Sequence, residues 1–297
     1  MPWLQLKMEI KPELSEQFED ILLAAGCAAV TYEDSADQPI FEPDLGTTPL
    51  WQHTTITGLF AAEHDVQITE DFIRQAHKQI FDNSPFPPFK AEILEDKDWE
   101  REWMKNYHPM QFGKRLWICP SWRDVPDPKA VNLMLDPGLA FGTGTHPTTA
   151  LCLEWLDSQE LDNKTVTDYG CGSGILGIAS LLLGSTHVTS VDIDPQALQA
   201  TRDNLQRNKL PNKLMDVYFP ENAPQVETDV LVANILAGPL TALAPTLAKR
   251  VRQGGLIALS GLLNQQAEEI QKTYGEWFDL DPVCEREEWI RITGRKR

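Results

Sequence analysis

Residues 165–175 read Thr165-Val166-Thr167-Asp168-Tyr169-Gly170-Cys171-Gly172-Ser173-Gly174-Ile175, and the apolar run Leu176-Gly177-Ile178-Ala179 follows. A β-branched segment, a glycine turn and an apolar helical segment in that order predict the strand, loop and helix that bind a nucleotide-like cofactor at the edge of a parallel sheet. The glycines are spaced G-x-G-x-G, so Ile175 occupies the place where a dinucleotide fingerprint needs its last glycine. Asp168 stands two positions before the first of them. Pyrophosphate seeks bare N–H groups at a helix N-terminus, and a carboxylate beside it repels. A cofactor without phosphate and with positive charge is attracted instead. S-adenosylmethionine carries a sulfonium and an ammonium, and the loop offers Asp168, Gly170, Gly172 and Gly174 as its expected contacts.

The next strand-like run, His187-Val188-Thr189-Ser190-Val191, ends in Asp192-Ile193-Asp194, which puts Asp192 24 positions beyond Asp168. An acid at about that distance after the glycine loop hydrogen-bonds the ribose hydroxyls. The other task for an acid here, capping the helix that begins at Pro195, falls more naturally on Asp194.

Outward from this unit, βαβ alternation continues. Helices are expected over Pro195–Asn208, Leu240–Arg250 and Gln265–Tyr274. Strands are expected at Asp216–Phe219, Asp229–Ala233, Leu256–Ser260 after a Gly254-Gly255 turn, and at Phe278–Val283 and Trp289–Thr293. Upstream, Arg115–Cys119 and Asn132–Leu135 read as strands, and residues 136–147 form a glycine-rich loop with the character of a lid. Thr148 and Thr149 head the helix after it and are candidate caps. The whole predicts an α/β fold, a class I, seven-stranded Rossmann-like sheet over 110–297.

Residues 1–95 have a different rhythm. Leu4, Leu6, Met8 and Ile10 alternate as a half-buried strand, a helix runs from Leu14 to Ala25, and Gly26 stops it. Strands at Cys27–Tyr32 and Thr54–Ala61, a helix over Thr69–Phe81 and a strand at Phe89–Leu94 complete a β-α-β-β-α-β order. That order predicts a small ferredoxin-like α+β domain, a platform for binding. Between the units, 96–109 reads as a linker helix with Trp99 and Trp103 on one face, stopped by Pro109.

The chain has 297 residues and a formal net charge of −18. Residues 1–95 hold 17 Asp and Glu against 5 Lys and Arg, so the acidity is concentrated there. Such a surface repels phosphate backbones and draws basic partners, which predicts a basic protein partner and no direct nucleic acid. Five scattered cysteines without a C-x-x-C pair fit reduced thiols in a cytoplasm. Cys171 reads as a small loop-filling residue, not a nucleophile. No metal-ligand spacing stands out, and neither a signal peptide nor a membrane-spanning run is expected.

Val230-Leu231-Val232-Ala233 is continuously apolar, as a strand buried on both faces must be, and it delivers Asn234 to the sheet edge. Amino-methylating enzymes carry Asn/Asp-Pro-Pro-Tyr/Phe at this place, and here it reads Asn234-Ile235-Leu236-Ala237. A carbonyl of Asn234 can accept from an amine N–H and aim the nitrogen lone pair at a methyl group. Ala237 stands where an aromatic would grip a planar base or amide, which favours an aliphatic amine over a glutamine or nucleobase acceptor. His146 is the nearby candidate for a general base.

The strings EDKDWEREW (95–103), DPGLAFGTGTHPTT (136–149), DYGCGSGILGIAS (168–180), VLVANILAGPL (230–240) and EEWIRITGRK (287–296) resemble the bacterial lysine methyltransferases that modify large-subunit ribosomal protein number eleven. The resemblance spans essentially the whole chain. It implies an N-terminal domain that binds the ribosomal protein, and methyl transfer from S-adenosylmethionine to lysine side chains and an N-terminal amine. By the same resemblance, cofactor contacts fall on Thr149, Gly170, Asp192 and Asn234. Tyr169 and Gly177 depart from the expected Phe or Val and Ala, and a glycine inside the helix costs roughly 1 kcal/mol.

Overall fold

The computed structural model describes residues 2–36, 38, 40, 46–81, 84–95, 107–136, 142 and 144–297. The chain divides into two compact units, residues 1–104 and 105–297.

The first unit comprises β1 (Trp3–Ile10), α1 (Ser15–Ala24), β2 (Ala29–Asp34), β3 (Thr54–Ala61), α2 (Val66–Ile80) and β4 (Phe89–Leu94). Its strands lie in the order β2-β3-β1-β4, and every neighbouring pair is antiparallel. The period-two alternation of β1 sends Leu4, Leu6, Met8 and Ile10 to one face. There they pack with Phe18, Ile21 and Leu22 of α1, Phe60 of β3 and Ile73 of α2. Gly26, at φ 91°, ends α1 in the left-handed conformation that glycine tolerates best. Asp65 caps α2 by accepting from the N–H groups of Gln67 and Ile68. The expected linker helix and its Trp99 and Trp103 lie, through residue 106, outside the described residues.

The second unit begins with a small sheet of β5 (Met110–Phe112), β6 (Leu116–Cys119) and β7 (Val131–Met134), followed by α3 (Pro147–Ser158). The main elements are then β8 (Thr165–Tyr169), α4 (Ile175–Leu182), β9 (His187–Val191), α5 (Pro195–Arg207), β10 (Met215–Tyr218), β11 (Thr228–Asn234), α6 (Ala237–Lys249) and β12 (Val251–Leu263). They are completed by α7 (Ala267–Tyr274), β13 (Phe278–Leu280), β14 (Cys284–Arg286) and β15 (Trp289–Lys296). Strand order is β10-β9-β8-β11-β12-β15-β13, with β14 as an eighth strand paired to β15. From β10 to β12 all pairs are parallel, and β15 runs antiparallel to its neighbours. The chain steps outward from β8 to β10 and then returns to β11, so the order reverses between β8 and β11. A crevice opens at the carboxyl ends of strands at such a reversal.

Two apolar layers cover the sheet. One joins Cys152, Leu153 and Leu156 of α3 and Ile178 of α4 to Val166 and Val232, and the other joins Leu240 and Leu247 of α6 and Ile270 of α7 to Leu231 and Ile257. Val230–Ala233 is accordingly buried on both faces. The expected Gly254-Gly255 turn is part of β12, which extends from Val251. Pairing with β11 passes from Thr228↔Val251 to Val230↔Leu256, so residues 252–255 form a bulge. A Cβ on Gly255 would lie 2.9 Å from the Asp229 carbonyl oxygen, so close approach fixes glycine there.

Gly261 links this frame to the crevice. Its φ is +84°, and a Cβ would lie 2.4 Å from the carbonyl oxygen of Ile235, whereas Gly254, at φ +74°, faces open space. Both Gly→Ala variants incur left-handed strain of roughly 1–3 kcal/mol. Gly261→Ala must in addition displace residue 235. Urea unfolding should show Gly261→Ala clearly less stable than Gly254→Ala. Equal losses would mean that the contact with Ile235 constrains nothing.

Candidate active site

A cavity of about 550 Å³ lies at the carboxyl edge of the main sheet, within the size range of small-molecule sites. Gly170, Cys171 and Gly172 line it from the loop after β8, Asp192 from the end of β9, Asn234, Ile235 and Leu236 from the end of β11, Gly261 from β12 and Trp289 from β15. Gly142, His146, Thr148 and Thr149 close it from the segment leading into α3.

Backbone bonding fixes the loop. The N–H groups of Gly170 and Cys171 both donate to the Val191 carbonyl, at 2.7 and 3.1 Å, and Gly174 N–H donates to the Cys171 carbonyl at 2.7 Å. Gly172 N–H donates to Asp192 Oδ2 at 2.8 Å. Four amides that a pyrophosphate would need are already engaged, and no Lys or Arg is among the described lining residues. The loop therefore favours a cofactor held by shape and by acceptors over one held by its phosphates. Gly170, at φ +79°, is fixed sterically as well, since a Cβ would lie 2.2 Å from Ile235 Cγ2. Gly174 sits in the left-handed conformation at the N-cap of α4, packed on Thr201, and does not line the cavity.

Asp192 keeps both oxygens engaged, Oδ2 with Gly172 N–H and Oδ1 with Asp194 N–H at 3.0 Å. Each carboxylate oxygen retains further acceptor capacity toward the cavity. Asp194 is the helix cap, accepting from Gln196 N–H at 2.8 Å. Asp168 lies behind the loop rather than on the cavity wall. It is fully buried, Oδ2 accepts from Gly177 N–H at 2.9 Å, and Oδ1 has no partner. Burial, with the Asp192 charge adding to it, pushes its carboxyl up to about 7. Gly177, the helical glycine, allows this bond: a Cβ there would sit 3.1 Å from Asp168 Oδ2 and 3.0 Å from Val188. The Cys171 thiol is buried, 3.3 Å from Thr201 Oγ1, and desolvation raises its pKa, so it fills the loop and does not act as a nucleophile.

Asn234 ends β11 half-buried. Its Nδ2 donates to Thr149 Oγ1 at 3.3 Å, while Oδ1 is buried and unpartnered. Neither threonine caps α3: His146 does, its Nδ1 accepting from Thr148 N–H at 3.3 Å and lying 2.8 Å from Thr148 Oγ1. Burial lowers the His146 pKa, against the raising effect of Glu287, so the ring is neutral near pH 7. Trp289 meets this ring edge-on, centroids 4.7 Å apart. Most of the glycine-rich segment expected as a lid, residues 137–141 and 143, lies outside the described residues. Of the rest, the Gly142 carbonyl accepts from Ser173 Oγ at 2.6 Å.

The fold thus gathers Thr149, Gly170, Gly172, Asp192 and Asn234 around one cavity, with Asp168 and Gly174 as supports behind it. Gly261, Ile235 and Trp289 join them from positions that sequence periodicity does not connect to a site. Among the described residues no group of three or more His, Cys, Asp or Glu is placed to hold a metal ion, and no helix is long and apolar enough to cross a membrane.

A glycine loop after β8 whose amides are spent, an acid after β9 and an asparagine after β11 define an S-adenosylmethionine-dependent methyltransferase. The unpartnered Asn234 Oδ1, the Asp192 carboxylate and the lack of Lys or Arg among the described lining residues all fit that cofactor. Residues 2–297 match the model of the family described as ribosomal protein L11 methyltransferase (PrmA), and the chain belongs to this family. It is 58% identical over 297 residues to the ribosomal protein L11 methyltransferase of Pseudomonas aeruginosa (strain LESB58), covering 100% of this chain and 99% of that protein. With the protein of the same name from Marinomonas sp. (strain MWYL1) it shares 55% over 296 residues, covering 100% and 99%. A solved ribosomal protein L11 methylase from Lactobacillus delbrueckii subsp. bulgaricus superposes with a TM-score of 0.59 at 31% identity, over 64% of this chain and all of that one.

Two outcomes follow from this geometry. Asp192→Ala removes a charged acceptor and also frees Gly172 N–H, so S-adenosylmethionine affinity should fall by roughly 1.5–3 kcal/mol in calorimetric titration; unchanged affinity in a folded variant would remove Asp192 from the site. For Asp168 the folded pKa is raised, so the folded chain binds the extra proton between pH 4 and 7, and stability is lost as pH rises through that window. Asp168→Asn should abolish a loss on the order of 2–4 kcal/mol in ligand-free unfolding between pH 4.5 and 8. The same pH slope in both proteins would show that Asp168 titrates normally.

Proposed function

We propose that this chain methylates amine nitrogens of ribosomal protein L11, on lysine side chains and at the N-terminus, with S-adenosylmethionine as donor. The observation that carries the proposal is the unpartnered Oδ1 of Asn234 on the cavity wall of a chain in this family. A buried acceptor left unmade costs about 1–3 kcal/mol unless a ligand satisfies it.

Gly170, Gly172, Asp192, Thr149 and Asn234 would hold the cofactor, which when bound supplies an electrophilic methyl group beside a positive charge. The protein's own task is to present a neutral amine. A free lysine at pH 7 carries its proton at a cost of about 4.6 kcal/mol to remove it. Asp192 is the one carboxylate among the described lining residues and sits two strands from Asn234, so nothing there holds the ammonium form by a salt bridge. Desolvation near a positive charge lowers the amine pKa, and Asn234 Oδ1 accepts one N–H and fixes the lone pair. Positioning of this kind supplies much of the acceleration. His146 Nδ1 is committed to Thr148, so we assign it no proton-transfer role. Ala237, 9% exposed at the first position of α6, offers no aromatic face to a planar amide or base, which supports an aliphatic amine.

We read 110–297 as a class I, seven-stranded Rossmann-like methyltransferase domain, 1–95 as a ferredoxin-like domain that recognises the substrate, and 96–109 as a linker helix. The acidity of residues 1–95 suits a basic protein partner and not nucleic acid, and such a partner puts the enzyme in the cytoplasm.

The test is transfer of labelled methyl groups to purified L11 at saturating cofactor. Wild-type protein that leaves L11 unlabelled would overturn the assignment. Asn234→Ala should lose roughly 10²-fold in kcat, the scale for removing one positioned polar group. Asn234→Asp should move activity to higher pH, because a carboxylate retains the ammonium proton. Wild-type turnover by Asn234→Ala would mean that other groups align the amine.

A further inference from the structure

We infer that Trp289 and His146 form the subsite that receives the acceptor amine, and that the Trp289 ring face retains the nitrogen once it carries methyl groups. The inference rests on the amine-methylation reading above and adds to it the residue that sets how far methylation proceeds.

Strand order carries the argument. Asp192 follows β9, Asn234 ends β11 and Trp289 begins β15, which runs antiparallel and so starts at the same edge of the sheet. Asp192 and Trp289 therefore stand on opposite sides of Asn234, each two strands away across the sheet. The register puts Trp289 beyond Asn234 toward the carboxyl edge: Asn234 pairs with Ser260, and Trp289 pairs with Leu263, three residues further along the same strand. If Asp192 holds the ribose, the nucleoside fills the β9 side. A nucleophile in a displacement enters opposite the leaving group, so the amine comes from the β15 side, where Trp289 and His146 line the cavity.

That wall is rigid. Arg286, just before the turn to β15, donates to both carboxylate oxygens of Glu154 on α3 at 2.9 Å, and Arg291 Nη1 donates to the Leu151 carbonyl at 2.6 Å. The His146 ring, fixed by Thr148, abuts the Trp289 ring at 71°. Burial lowers the His146 pKa and so disfavours a charged imidazolium beside the amine. Glu287 and Glu288, exposed in the turn before Trp289, give the approach a negative sign.

The chemistry calls for such a surface. Each transfer replaces one N–H by N–CH3 and releases a proton to solvent, so the product is bulkier and has fewer donors for Asn234 Oδ1. A site built only from acceptors loses its hold with every methyl. An indole face does the reverse, since methyl groups on an ammonium spread its charge over surfaces that pack on the ring.

The experiment uses full-length enzyme, L11 as acceptor and saturating S-adenosylmethionine, with mass spectrometry of the mono-, di- and trimethyl products at matched total turnover and calorimetric titration of the cofactor. Trp289→Ala should lower the ratio of higher-methylated to monomethyl product at least tenfold while cofactor Kd stays within twofold. Trp289→Phe, which keeps a ring face, should restore most of the ratio. Trp289→Leu, of similar bulk without a π-face, should behave like Ala and serves if the Ala variant unfolds. A wild-type product ratio in the Ala or Leu variant would overturn the inference, as would a tenfold rise in cofactor Kd, which would make Trp289 part of the cofactor wall. Wild-type enzyme that leaves L11 unmodified would overturn the parent reading and the subsite with it.

Discussion

The amide of Asn234 is held from one side only. Thr149, at the start of α3, takes its Nδ2, and Oδ1 is left without a partner at the cavity wall. Thr149 Oγ1 thereby holds one end of the amide and leaves the other toward the cavity. The arrangement also places an unmet acceptor where a ligand can meet it. The sheet supplies the support. Val230–Ala233 is buried on both faces, so β11 delivers Asn234 to the edge with little freedom.

Around that asparagine the backbones come unusually close. Ile235 presses its side chain against Gly170 and its carbonyl against Gly261, so two glycines 91 positions apart are required by one residue. Gly170, as an expected cofactor contact, is a residue whose lack of a side chain suits close approach of a ligand to the backbone. It is equally one that lets Ile235 approach, and the two roles reinforce each other, since the loop conformation that admits the cofactor is the one the β11 end packs against. Asp168 stiffens the same loop from behind through Gly177, at the cost of burying a carboxyl whose pKa desolvation raises.

Much of this frame was legible in the chain, and the reasons differ by element. The expected strands Thr54–Ala61 and Phe89–Leu94 coincide with β3 and β4. Asn234 is legible because a strand that is apolar throughout must end at an edge, and the next polar residue then faces the crevice; Asp192 is legible from its spacing after the glycine loop. What escaped reading was set by tertiary contact. Gly254 and Gly255 have the composition of a turn, and only pairing with β11 makes them a bulge. Thr148 and Thr149 have the chemistry of caps, yet His146 takes that position and leaves Thr149 to Asn234. Asp168 was read as a cofactor contact from charge alone, and its depth behind the loop depends on Gly177, nine positions on. Trp289 carries no periodic signal toward a site, and reaches it because β15 is antiparallel and starts at the catalytic edge.

A crystal structure of the enzyme with S-adenosylhomocysteine and an L11 segment bearing the acceptor amine tests the central claim most directly. The amine nitrogen is expected within hydrogen-bond reach of Asn234 Oδ1, about 2.6–3.2 Å, with Nδ2 still on Thr149. An amine held elsewhere, with Oδ1 paired to the cofactor or to water, would contradict the role of Asn234 on which the mechanism depends.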